Sequence, residues 1–352
     1  MFDLIVAGAG MGGLVAAVHA RERGASVLVL EKGDRAGGSM LLSSGFLWRY
    51  REFDRFREEC PGGDPGLQWL VHDRLDSDLA WLESVAGPAL ERETGNPLTT
   101  GLRFDPGQVT RALVEGAGEI LLGEPLRRLP TETPVLLATG GFQGNRELVR
   151  RHITPEAESL WLRANPWSTG DGLTLALEHG AELSSGMDEF YGRNLPAPPA
   201  RVTPEGFRPL AQRYAHHAVV ENARGERYAA RTWSEIDVVQ WTARQPDARA
   251  RYTVSEERLG ERVRDRTIGE MIESAEQAGG TVERAEGNVS IEVAAGITTT
   301  LGGLRVDSRW RAAERVYACG MDAGGVSTGG YSSGLAWALV SGRLAADAAL
   351  AG

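Results

Sequence analysis

The chain has 352 residues, of which 42% are hydrophobic and 24% charged, and this composition is typical of a globular protein with an ample core. Its formal net charge of −10 argues against nucleic acid or an anionic membrane as the principal partner. No segment is apolar for long enough to span a bilayer. The two cysteines, Cys60 and Cys319, are too few and too far apart for a disulfide framework or a cysteine metal site, so we expect a cytoplasmic protein without a metal.

The N-terminal residues predict a β-turn-α-β unit. A short apolar run, Leu4–Ala7, precedes a glycine turn and a helical stretch that continues to about Arg23. A second apolar run, Val27–Leu30, ends in Glu31. Because the first strand begins by Leu4, we expect no signal peptide ahead of it.

The glycines of the turn fit the pattern G-x-G-x-x-G of a dinucleotide site, as Gly8, Gly10 and Gly13. The first glycine permits a tight turn, the second lets the backbone approach a pyrophosphate, and the third lets the helix pack on the strand. The helix N-terminus would then direct free N–H groups at the phosphates. Glu31 is placed to accept hydrogen bonds from the adenosine ribose and to repel a 2′-phosphate, which disfavours NADP.

Helical and strand patterns alternate through the middle of the chain. A helical pattern extends from about Glu52 to Leu90, and we interpret its aromatic and leucine stripe as core: Trp69, Leu70, Leu75, Leu79 and Leu82. A further buried strand is predicted at Val135–Ala138.

A change in composition follows at Pro196–Pro199, the clearest candidate boundary. The next region is polar and rich in Arg, with helical stretches near Trp233–Thr242 and Leu259–Ala278. Apolar sequence punctuated by glycine returns near Ile291. We therefore expect a cofactor domain that is interrupted by a smaller inserted domain.

A second glycine-rich run, Gly320–Gly334, lies near the C-terminus. Its small side chains would let the backbone lie against a flat ligand. The alternative is a solvated linker, but the apolar Val316–Ala318 and the helical Leu335–Leu344 that flank the run argue against it. The two glycine runs are predicted to form two halves of one dinucleotide site.

The order of these motifs resembles that of the flavoprotein family of fumarate reductases, succinate dehydrogenases and 3-ketosteroid dehydrogenases. The motifs that carry the resemblance are Gly37-Gly38-Ser39, Ser43-Ser44-Gly45, Ala138–Phe142, Ser168–Gly172, Leu301–Leu304 and the C-terminal run. The resemblance implies an α/β fold, in which a Rossmann-like FAD-binding domain with a glutathione-reductase-like sheet is split by a smaller α+β capping domain. We expect the FAD-binding domain at residues 1–190 and 289–352 and the capping domain at 191–288.

The resemblance also implies FAD as the cofactor, bound non-covalently because no His stands where some members attach it. The family often has a Glu where this chain has Met321 beside Asp322. Loop capping remains an alternative role for Ser39 and Ser44, and helix N-capping for Asp171. The residues implied to hold FAD are Gly8, Gly10, Met11, Gly12, Gly13, Glu31, Lys32, Gly38, Ser39, Ser44, Gly45, Thr139, Gly140, Gly141, Asp171, Asp322, Gly334 and Leu335.

The chain departs from the fumarate reductases at their substrate site. Those enzymes bind a dicarboxylate through His and Arg and deliver a proton through an Arg of the capping domain. The corresponding positions here carry Glu235, Ser327 and Tyr331. Because a site without those cations should not bind a dianion, we expect neither fumarate nor succinate as substrate.

Gly330-Tyr331-Ser332-Ser333-Gly334 instead resembles the Gly-Tyr-Ala-Ser-Gly of ketosteroid dehydrogenases that introduce the Δ4 double bond. This implies desaturation of an apolar ketone, or reduction of an enone, with an external electron acceptor or donor. Tyr331 would transfer the proton and Ser333 would relay it, while Tyr191 is a weaker second candidate. A packing role for Tyr331 stays open. So do two other functions: an amine or amino-acid oxidase, with Arg193 holding a carboxylate, and a flavin-binding protein without turnover.

Overall fold

The computed structural model describes residues 2–229 and 235–352, which form two compact units. Unit 1 comprises Met1–Asn145, Asn165–Glu189 and Thr300–Gly352, and unit 2 comprises Arg146–Ala164 and Phe190–Thr299. These bounds differ from the predicted domain limits at residues 146–164, at residue 190 and at residues 289–299. Residues 146–164 and 289–299 belong to unit 2, because a strand in each of these segments pairs within the unit 2 sheet.

The helices of the described residues are mostly short. They are α1 (Met11–Glu22), α2 (Phe53–Glu59), α3 (Pro65–Ala86), α4 (Pro106–Ala117), α5 (Arg146–His152), α6 (Asp171–Glu178), α7 (Ile236–Ala243), α8 (Ile268–Gln277) and α9 (Gly334–Ala351).

The strands, in chain order, are β1 (Leu4–Ala7), β2 (Val27–Glu31), β3 (Phe46–Tyr50), β4 (Thr99–Arg103), β5 (Glu119–Leu122), β6 (Val135–Leu137), β7 (Trp161–Leu162), β8 (Phe190–Pro196), β9 (Val219–Glu221), β10 (Arg249–Ser255), β11 (Arg262–Val263), β12 (Arg266–Thr267), β13 (Val282–Ala285), β14 (Asn288–Thr300), β15 (Arg311–Ala313) and β16 (Val316–Ala318).

Unit 1 is built on a six-stranded sheet in the order β15-β16-β6-β1-β2-β5. Its neighbours are parallel except for the antiparallel pair β15 and β16. The runs LIVA of β1 and VLL of β6 are almost entirely buried, as expected for central strands of a sheet covered on both faces. The predicted α/β fold with a parallel sheet is therefore confirmed, and β1 and β6 end side by side where the glycine turns begin.

Helix α1 is buried from Met11 to Ala20 because it lies between the sheet and α9. Small residues permit this close approach: a Cβ at Gly342 of α9 would stand 2.7 Å from the carbonyl oxygen of Gly12. Helices α3 and α4 each begin with a Pro after an Asp cap, and Asp64 and Asp105 accept hydrogen bonds from Leu67 N and Gln108 N.

Unit 2 is built on an antiparallel sheet in the order β13-β14-β10-β9, with β7 and β8 also paired to the long strand β14. Its core packs α8 against the sheet, and Ile268, Met271 and Ile272 contact the cluster that includes Tyr252 and Ile291. A capping box of Thr267 and Glu270 begins α8. The strands β11 and β12 form a separate hairpin just before this helix.

Two of the predicted elements differ from the structure. The helical pattern from about Glu52 is two helices, because Gly62, Gly63 and Pro65 interrupt it. The segment predicted as helical from Leu259 begins with the β11–β12 hairpin instead, and only α8 is helical.

The predicted core position of Trp69 is wrong, since this side chain is 50% exposed. The predicted helix start at Trp233 lies outside the described residues, and α7 begins at Ile236. No helix within the described ranges is long and apolar enough to cross a bilayer.

Candidate functional site

The two glycine-rich runs lie against each other in unit 1. A Cβ at Gly12, in the first turn of α1, would stand 3.1 Å from Cys319 Sγ and 3.6 Å from Gly320 Cα. The C-terminal run is buried at most positions from Gly320 to Gly330, so it is not a solvated linker. The C-terminal run thus borders the N-terminus of α1, as expected for two halves of one site.

The glycines of the first run have different physical roles. Gly8 has φ +104° and a Cβ there would lie 2.2 Å from Ala138 O, while a Cβ at Gly13 would lie 1.9 Å from Gly8 O. Both are required by the close packing of β1, β6 and α1. A Cβ at Gly10 would meet no atom within 4 Å, so this position borders open space at the start of the helix. Here a ligand can approach the backbone.

Three N–H groups face this space from α1. Gly10 is the N-cap of the helix and its carbonyl oxygen accepts from Leu14 N, so the N–H groups of Met11, Gly12 and Gly13 precede the first intrahelical bond. Together with the helix dipole they favour a phosphate group. The predicted pyrophosphate contacts are consistent with this geometry.

Glu31 is held at the end of β2 with its carboxylate fixed by the backbone. Oε2 accepts from Ala9 N at 2.7 Å and Oε1 from Gly33 N at 2.6 Å, and the residue is 8% exposed. Each carboxylate oxygen can accept a further hydrogen bond. The contacts fix Glu31 beside the glycine turn, where ribose hydroxyls would complete its hydrogen bonding.

Lys32 and Asp171 contact each other. Lys32 Nζ lies 2.8 Å from Asp171 Oδ2, and Thr169 donates to Asp171 Oδ1 at 2.7 Å. Asp171 is the first residue of α6, and the N-cap is Gly170 with φ +79°. The alternative role of Asp171 as the N-cap is therefore wrong, and its carboxylate instead anchors the only Lys of the chain.

The loop after β2 comes back to the glycine turn. A Cβ at Gly38 would lie 3.2 Å from Gly10 Cα, and Ser39 Oγ accepts from Asn165 Nδ2 at 2.8 Å. Ser39 therefore ties this loop to Asn165, which supports a loop-stabilising role beside any contact with FAD. Ser44 is half-buried.

Gly45 has a structural role in addition to the predicted one. It has φ +76°, and a Cβ there would lie 2.0 Å from Phe104 O. Phe104 N also donates to Gly45 O at 2.9 Å. The glycine therefore permits the close pairing of the chain just before β3 with the chain just after β4.

Asp322 follows β16 in the chain, and its carboxylate binds the loop Thr139-Gly140-Gly141 at the carboxyl end of β6. Its carboxylate accepts from Thr139 Oγ1 at 3.0 Å and from the backbone N–H groups of Thr139, Gly140 and Gly141. Burial raises the pKa of Asp322 to about 6, although these hydrogen bonds oppose the shift. The side chain faces the protein backbone, so it positions the predicted FAD-contacting loop.

The C-terminal run ends at the N-terminus of α9. Ser333 is its N-cap: Oγ accepts from Ala336 N at 3.2 Å and donates to Phe46 O at 3.2 Å. These contacts engage the hydroxyl that was predicted as a proton relay. Gly334 and Leu335 follow at the first two helical positions, where N–H groups have no intrahelical acceptor.

Tyr331 lies on the same loop and is half-buried. Its ring packs edge-on against Trp48 with centroids 5.9 Å apart, and its carbonyl oxygen accepts from Tyr50 OH at 2.8 Å. Strand β3 thus fixes the backbone of the loop that carries the predicted catalytic phenol.

Tyr191, the second predicted catalytic phenol, belongs to unit 2. The guanidinium of Arg193 lies 5.2 Å from the ring centroid of Tyr191 and also hydrogen-bonds to the phenol. The pKa of Tyr191 is lowered to about 8, because Arg193, Arg163 and Arg264 outweigh the opposing effect of burial. A phenol with a pKa in this range is mainly protonated near neutral pH and can exchange its proton there.

Arg163 and Arg264, two of the three arginines that lower the pKa of Tyr191, were not among the predicted site residues. Arg163 follows β7 and Arg264 is at the tip of the β11–β12 hairpin, so they are far from Tyr191 in sequence. The Arg-rich composition after Pro199 is a signal for Arg264, but no sequence signal pointed to Arg163.

The residues of unit 1 fit FAD. The open space at Gly10, the N–H groups of α1 and the fixed carboxylate of Glu31 provide a phosphate cradle next to a ribose acceptor. Within the described ranges, no group of three or more His, Cys, Asp or Glu residues could hold a metal ion.

Comparison with known proteins supports the same cofactor. The family described as FAD binding domain matches residues 3–58 and 98–334. The vinyl phenol reductase of Lactiplantibacillus plantarum is 24% identical over 283 residues, which are 63% of this chain and 57% of the reductase. The 3-oxosteroid 1-dehydrogenase of Mycobacterium tuberculosis is 47% identical over 92 residues, which are 26% of this chain and 14% of the dehydrogenase. The chain thus spans little more than half of the first relative and far less of the second.

The fold is shared with a solved enzyme. The structure of 3-ketosteroid-Δ4-(5α)-dehydrogenase from Rhodococcus jostii RHA1, in complex with 4-androstene-3,17-dione, superposes with a TM-score of 0.72. The two proteins are 17% identical, and the superposition covers 99% of this chain and 96% of that one. The predictions of a ketosteroid dehydrogenase-like fold and of FAD as cofactor are confirmed. The chain belongs to the FAD binding domain family of flavoproteins.

Proposed function

We propose that this protein is an FAD-dependent oxidoreductase that acts on a CH–CH bond α,β to a carbonyl, by desaturating a ketone or reducing an enone. The observation that carries the proposal is a flavin fold accompanied by a phenol, Tyr191, whose ring lies 5.2 Å from the guanidinium of Arg193 and whose pKa is lowered to about 8. The 47% identity to a 3-oxosteroid 1-dehydrogenase over 92 residues supports this reaction class.

Such a reaction needs a hydride carrier and a group that moves a proton. FAD, when bound, supplies the redox chemistry by taking up or giving the hydride of the β-carbon. The chain itself must take the α-proton in desaturation or return it in reduction. A phenol is poorly suited to this at its ordinary pKa near 10, and neighbouring positive charge makes it more effective.

Two phenols compete for the proton-transfer role. Tyr331 is favoured by the resemblance of its loop to the ketosteroid dehydrogenases, and Tyr191 by the adjacent guanidinium of Arg193. In either case, hydrogen-bond donors would stabilise the enolate oxygen.

The first experiment tests the cofactor and the reaction together. The purified protein should be yellow and release FAD when it is precipitated with acid. Anaerobic stopped-flow mixing of the oxidised protein with cyclic ketones should bleach the flavin absorbance, and mixing of the reduced protein with cyclic enones should restore it. A flavin-loaded protein that reacts with neither class would overturn the proposed reaction and leave a flavin-binding protein without turnover.

The second experiment separates the two phenols. Tyr331→Phe and Tyr191→Phe are compared for flavin content and for the pH dependence of the rate of flavin reduction. The proton-transfer residue is the one whose Phe variant keeps FAD, loses roughly a hundredfold or more in rate, and no longer shows the ionisation of the wild type. An unchanged rate in either variant removes that residue from the mechanism.

Amino-acid oxidation is a second candidate because Arg193 is a buried guanidinium that could contact a substrate carboxylate. It predicts release of ammonia from an amino acid together with reduction of the flavin. A screen of amino acids for ammonia release distinguishes it from oxidation of a ketone, which releases none.

A further inference from the structure

The loop that leads to Tyr331 is rich in glycine and lies outside the helices and strands. Four of the seven residues Gly324–Gly330 are glycine. Glycine-rich backbone has many accessible conformations, so holding it in one of them costs conformational entropy. A phenol transfers a proton only within hydrogen-bond reach of the reacting atom. The loop must therefore be held in place by contacts from elsewhere in the chain.

The turn between α2 and α3 supplies such contacts to the loop. The backbone N–H of Gly62 donates to Thr328 O at 3.1 Å, and that of Asp64 donates to Gly325 O at 2.9 Å. The backbone of the turn is thus paired with the backbone of the loop at two points.

The same turn reaches the residue next to Tyr331. A Cβ at Gly330 would lie 1.8 Å from Glu59 O and 3.0 Å from Cys60 Sγ. The Cys60 thiol also accepts a hydrogen bond from the backbone N–H of Tyr331. A shift of Cys60 would therefore displace the backbone that carries the phenol.

Gln68, in the first turns of α3, joins the turn to the loop through its side chain. Its Nε2 donates to Cys60 O at 2.9 Å and to Val326 O at 3.0 Å. These bonds use both N–H groups of the carboxamide. A Cβ at Gly63 would lie 2.2 Å from Nε2, so the glycine there is what permits the approach.

Arg57 fixes the orientation of this carboxamide. Its Nη1 donates to Gln68 Oε1 at 2.5 Å and to Gly63 O at 2.7 Å. A guanidinium has only donors, so exchanging the two ends of the amide would oppose donor to donor and carbonyl to carbonyl. Gln68 is also fully buried. One arrangement of the side chain is therefore specified.

The position of Gln68 in α3 would suit an apolar residue. It lies on the buried face of the helix, which continues with Val71, Leu75 and Leu79. An apolar side chain there would remove the amide from two buried carbonyl groups, and burial of such groups is unfavourable without a donor. The glutamine thus serves the contact with the loop in addition to the packing of the helix.

We propose that Gln68 is a positioning residue that holds Tyr331 where its phenol can transfer the substrate proton. The proposal rests on the function proposed above and selects Tyr331, in place of Tyr191, as the proton-transfer group. Gln68 acts from both sides of the loop, through Cys60 beside Tyr331 and through Val326 ahead of it. Its own side chain need not contact the substrate.

The test compares two glutamine variants of the full, FAD-loaded chain. Gln68→Met keeps the length of the side chain and removes both donors. Gln108→Met is the matched control, because Gln108 Nε2 also donates to a backbone carbonyl, Ala86 O at 2.7 Å, but outside this loop. The rate of flavin reduction by cyclic ketones, and of reoxidation by cyclic enones, is measured per bound flavin over a range of substrate concentrations.

The limiting rate of Gln68→Met should fall roughly tenfold or more, while the substrate concentration for half the limiting rate changes less than about twofold. Gln108→Met should match the wild type. In a Tyr331→Phe background, Gln68→Met should cause no further loss, because the group to be positioned is absent. An unchanged limiting rate in Gln68→Met, or an equal loss in both backgrounds, would overturn the proposal.

A second variant covers a failure to fold. If Gln68→Met does not retain FAD, Gln68→Glu takes its place, because a carboxylate keeps an acceptor for Arg57 and has no donor for the two carbonyl groups. Loss of FAD from both variants would show that Gln68 is needed for the fold as a whole, and would overturn a specific role towards Tyr331.

A spectroscopic readout separates this proposal from the proposed function. In protein labelled with fluorotyrosine, the fluorine NMR signal of Tyr331 is the one that is lost in Tyr331→Phe. This signal should split or broaden in Gln68→Met and not in Gln108→Met. That result in a protein that reacts with neither ketones nor enones refutes only the proposed reaction. An unchanged signal and an unchanged rate in a protein that turns these substrates over refute only the positioning role.

Discussion

The hydroxyl of Thr139 donates a hydrogen bond of 3.0 Å to the carboxylate of Asp322, across 183 residues of sequence. Asp322 is 1% exposed, so its charge is compensated by this hydroxyl and by the N–H groups of the glycine loop. The carboxylate therefore joins the C-terminal run to the turn after β6, and both segments belong to the candidate FAD site.

Asp322 should make stability depend on pH. Its pKa is raised to about 6 in the folded chain, against 3.8 ordinarily, so the folded state binds the proton first as the pH falls. As the pH falls from about 6 to 4, the unfolding free energy of the wild type should rise relative to that of Asp322→Asn by about 1.4 kcal/mol per pH unit. Urea unfolding of both proteins across this range measures the difference. A difference that stays constant with pH would contradict the prediction.

Gly10 and Gly13 should respond differently to the same substitution. A Cβ at Gly13 would lie 1.9 Å from Gly8 O, so Gly13→Ala should disrupt the packing of α1 on β1 and abolish both FAD binding and cooperative unfolding. A Cβ at Gly10 meets open space. Gly10→Ala should fold, with a loss of about 1 kcal/mol from the poorer helix cap.

The flavin readout separates the two roles. Gly10→Ala should bind FAD roughly tenfold or more weakly, because the methyl group occupies the space where a pyrophosphate approaches the backbone. Flavin fluorescence titration measures this affinity. Gly260→Ala is the control, since a Cβ there also meets no atom within 4 Å. Full FAD affinity in Gly10→Ala would remove Gly10 from the cradle.

The cradle of unit 1 could be predicted from sequence because its parts are local. A buried run, a glycine turn and a helix follow each other within Leu4–Glu22, and each is specified by its own residues. The position of Glu31 at the end of β2 follows from the same short unit. Such elements need little information about the rest of the fold.

The cluster around Tyr191 could not be predicted in this way. Arg163, Arg193 and Arg264 come from three separate segments, and their charges act on Tyr191 only because β7 and β8 pair with β14 and a hairpin precedes α8. Trp69 illustrates a different limit. Gln68 takes the buried helical position and donates to Val326 O at 3.0 Å, so the next residue is turned towards solvent.

Replacing Tyr214 by phenylalanine should make the protein more stable. Its ring is fully buried and packs edge-on against Tyr252 at 5.6 Å, but its hydroxyl has no hydrogen-bond partner in the part of the chain that is described. Tyr214→Phe removes this buried polar atom and should raise the unfolding free energy by about 1 kcal/mol. Denaturant unfolding provides the measurement.

Tyr252→Phe is the matched control in the same cluster. The Tyr252 hydroxyl accepts from Asn194 Nδ2 at 2.8 Å, so its removal should cost about 1 kcal/mol. If both variants lose stability equally, the Tyr214 hydroxyl is satisfied in solution.

Removing only the arginine of the Arg343–Asp78 ion pair should destabilise the protein strongly. Asp78 on α3 is fully buried, and Arg343 on α9 donates to its Oδ1. Burial raises the pKa of Asp78, and Arg343 opposes the shift. Arg343→Met would leave this carboxylate with Arg74, whose Nη2 is 3.7 Å away on a partly exposed side chain. We expect a loss of about 3 kcal/mol in unfolding free energy.

A double-mutant cycle tests the reason for this loss. Asp78→Asn removes the buried charge, so the double variant with Arg343→Met should be more stable than Arg343→Met alone. Arg23→Met is the control on the neighbouring surface, where Arg23 lies 3.1 Å from Asp347 and the two side chains are 57% and 36% exposed. This exposed pair should contribute less than about 1 kcal/mol. An Arg343→Met variant that loses no more stability than Arg23→Met would show that the buried carboxylate is compensated by other groups.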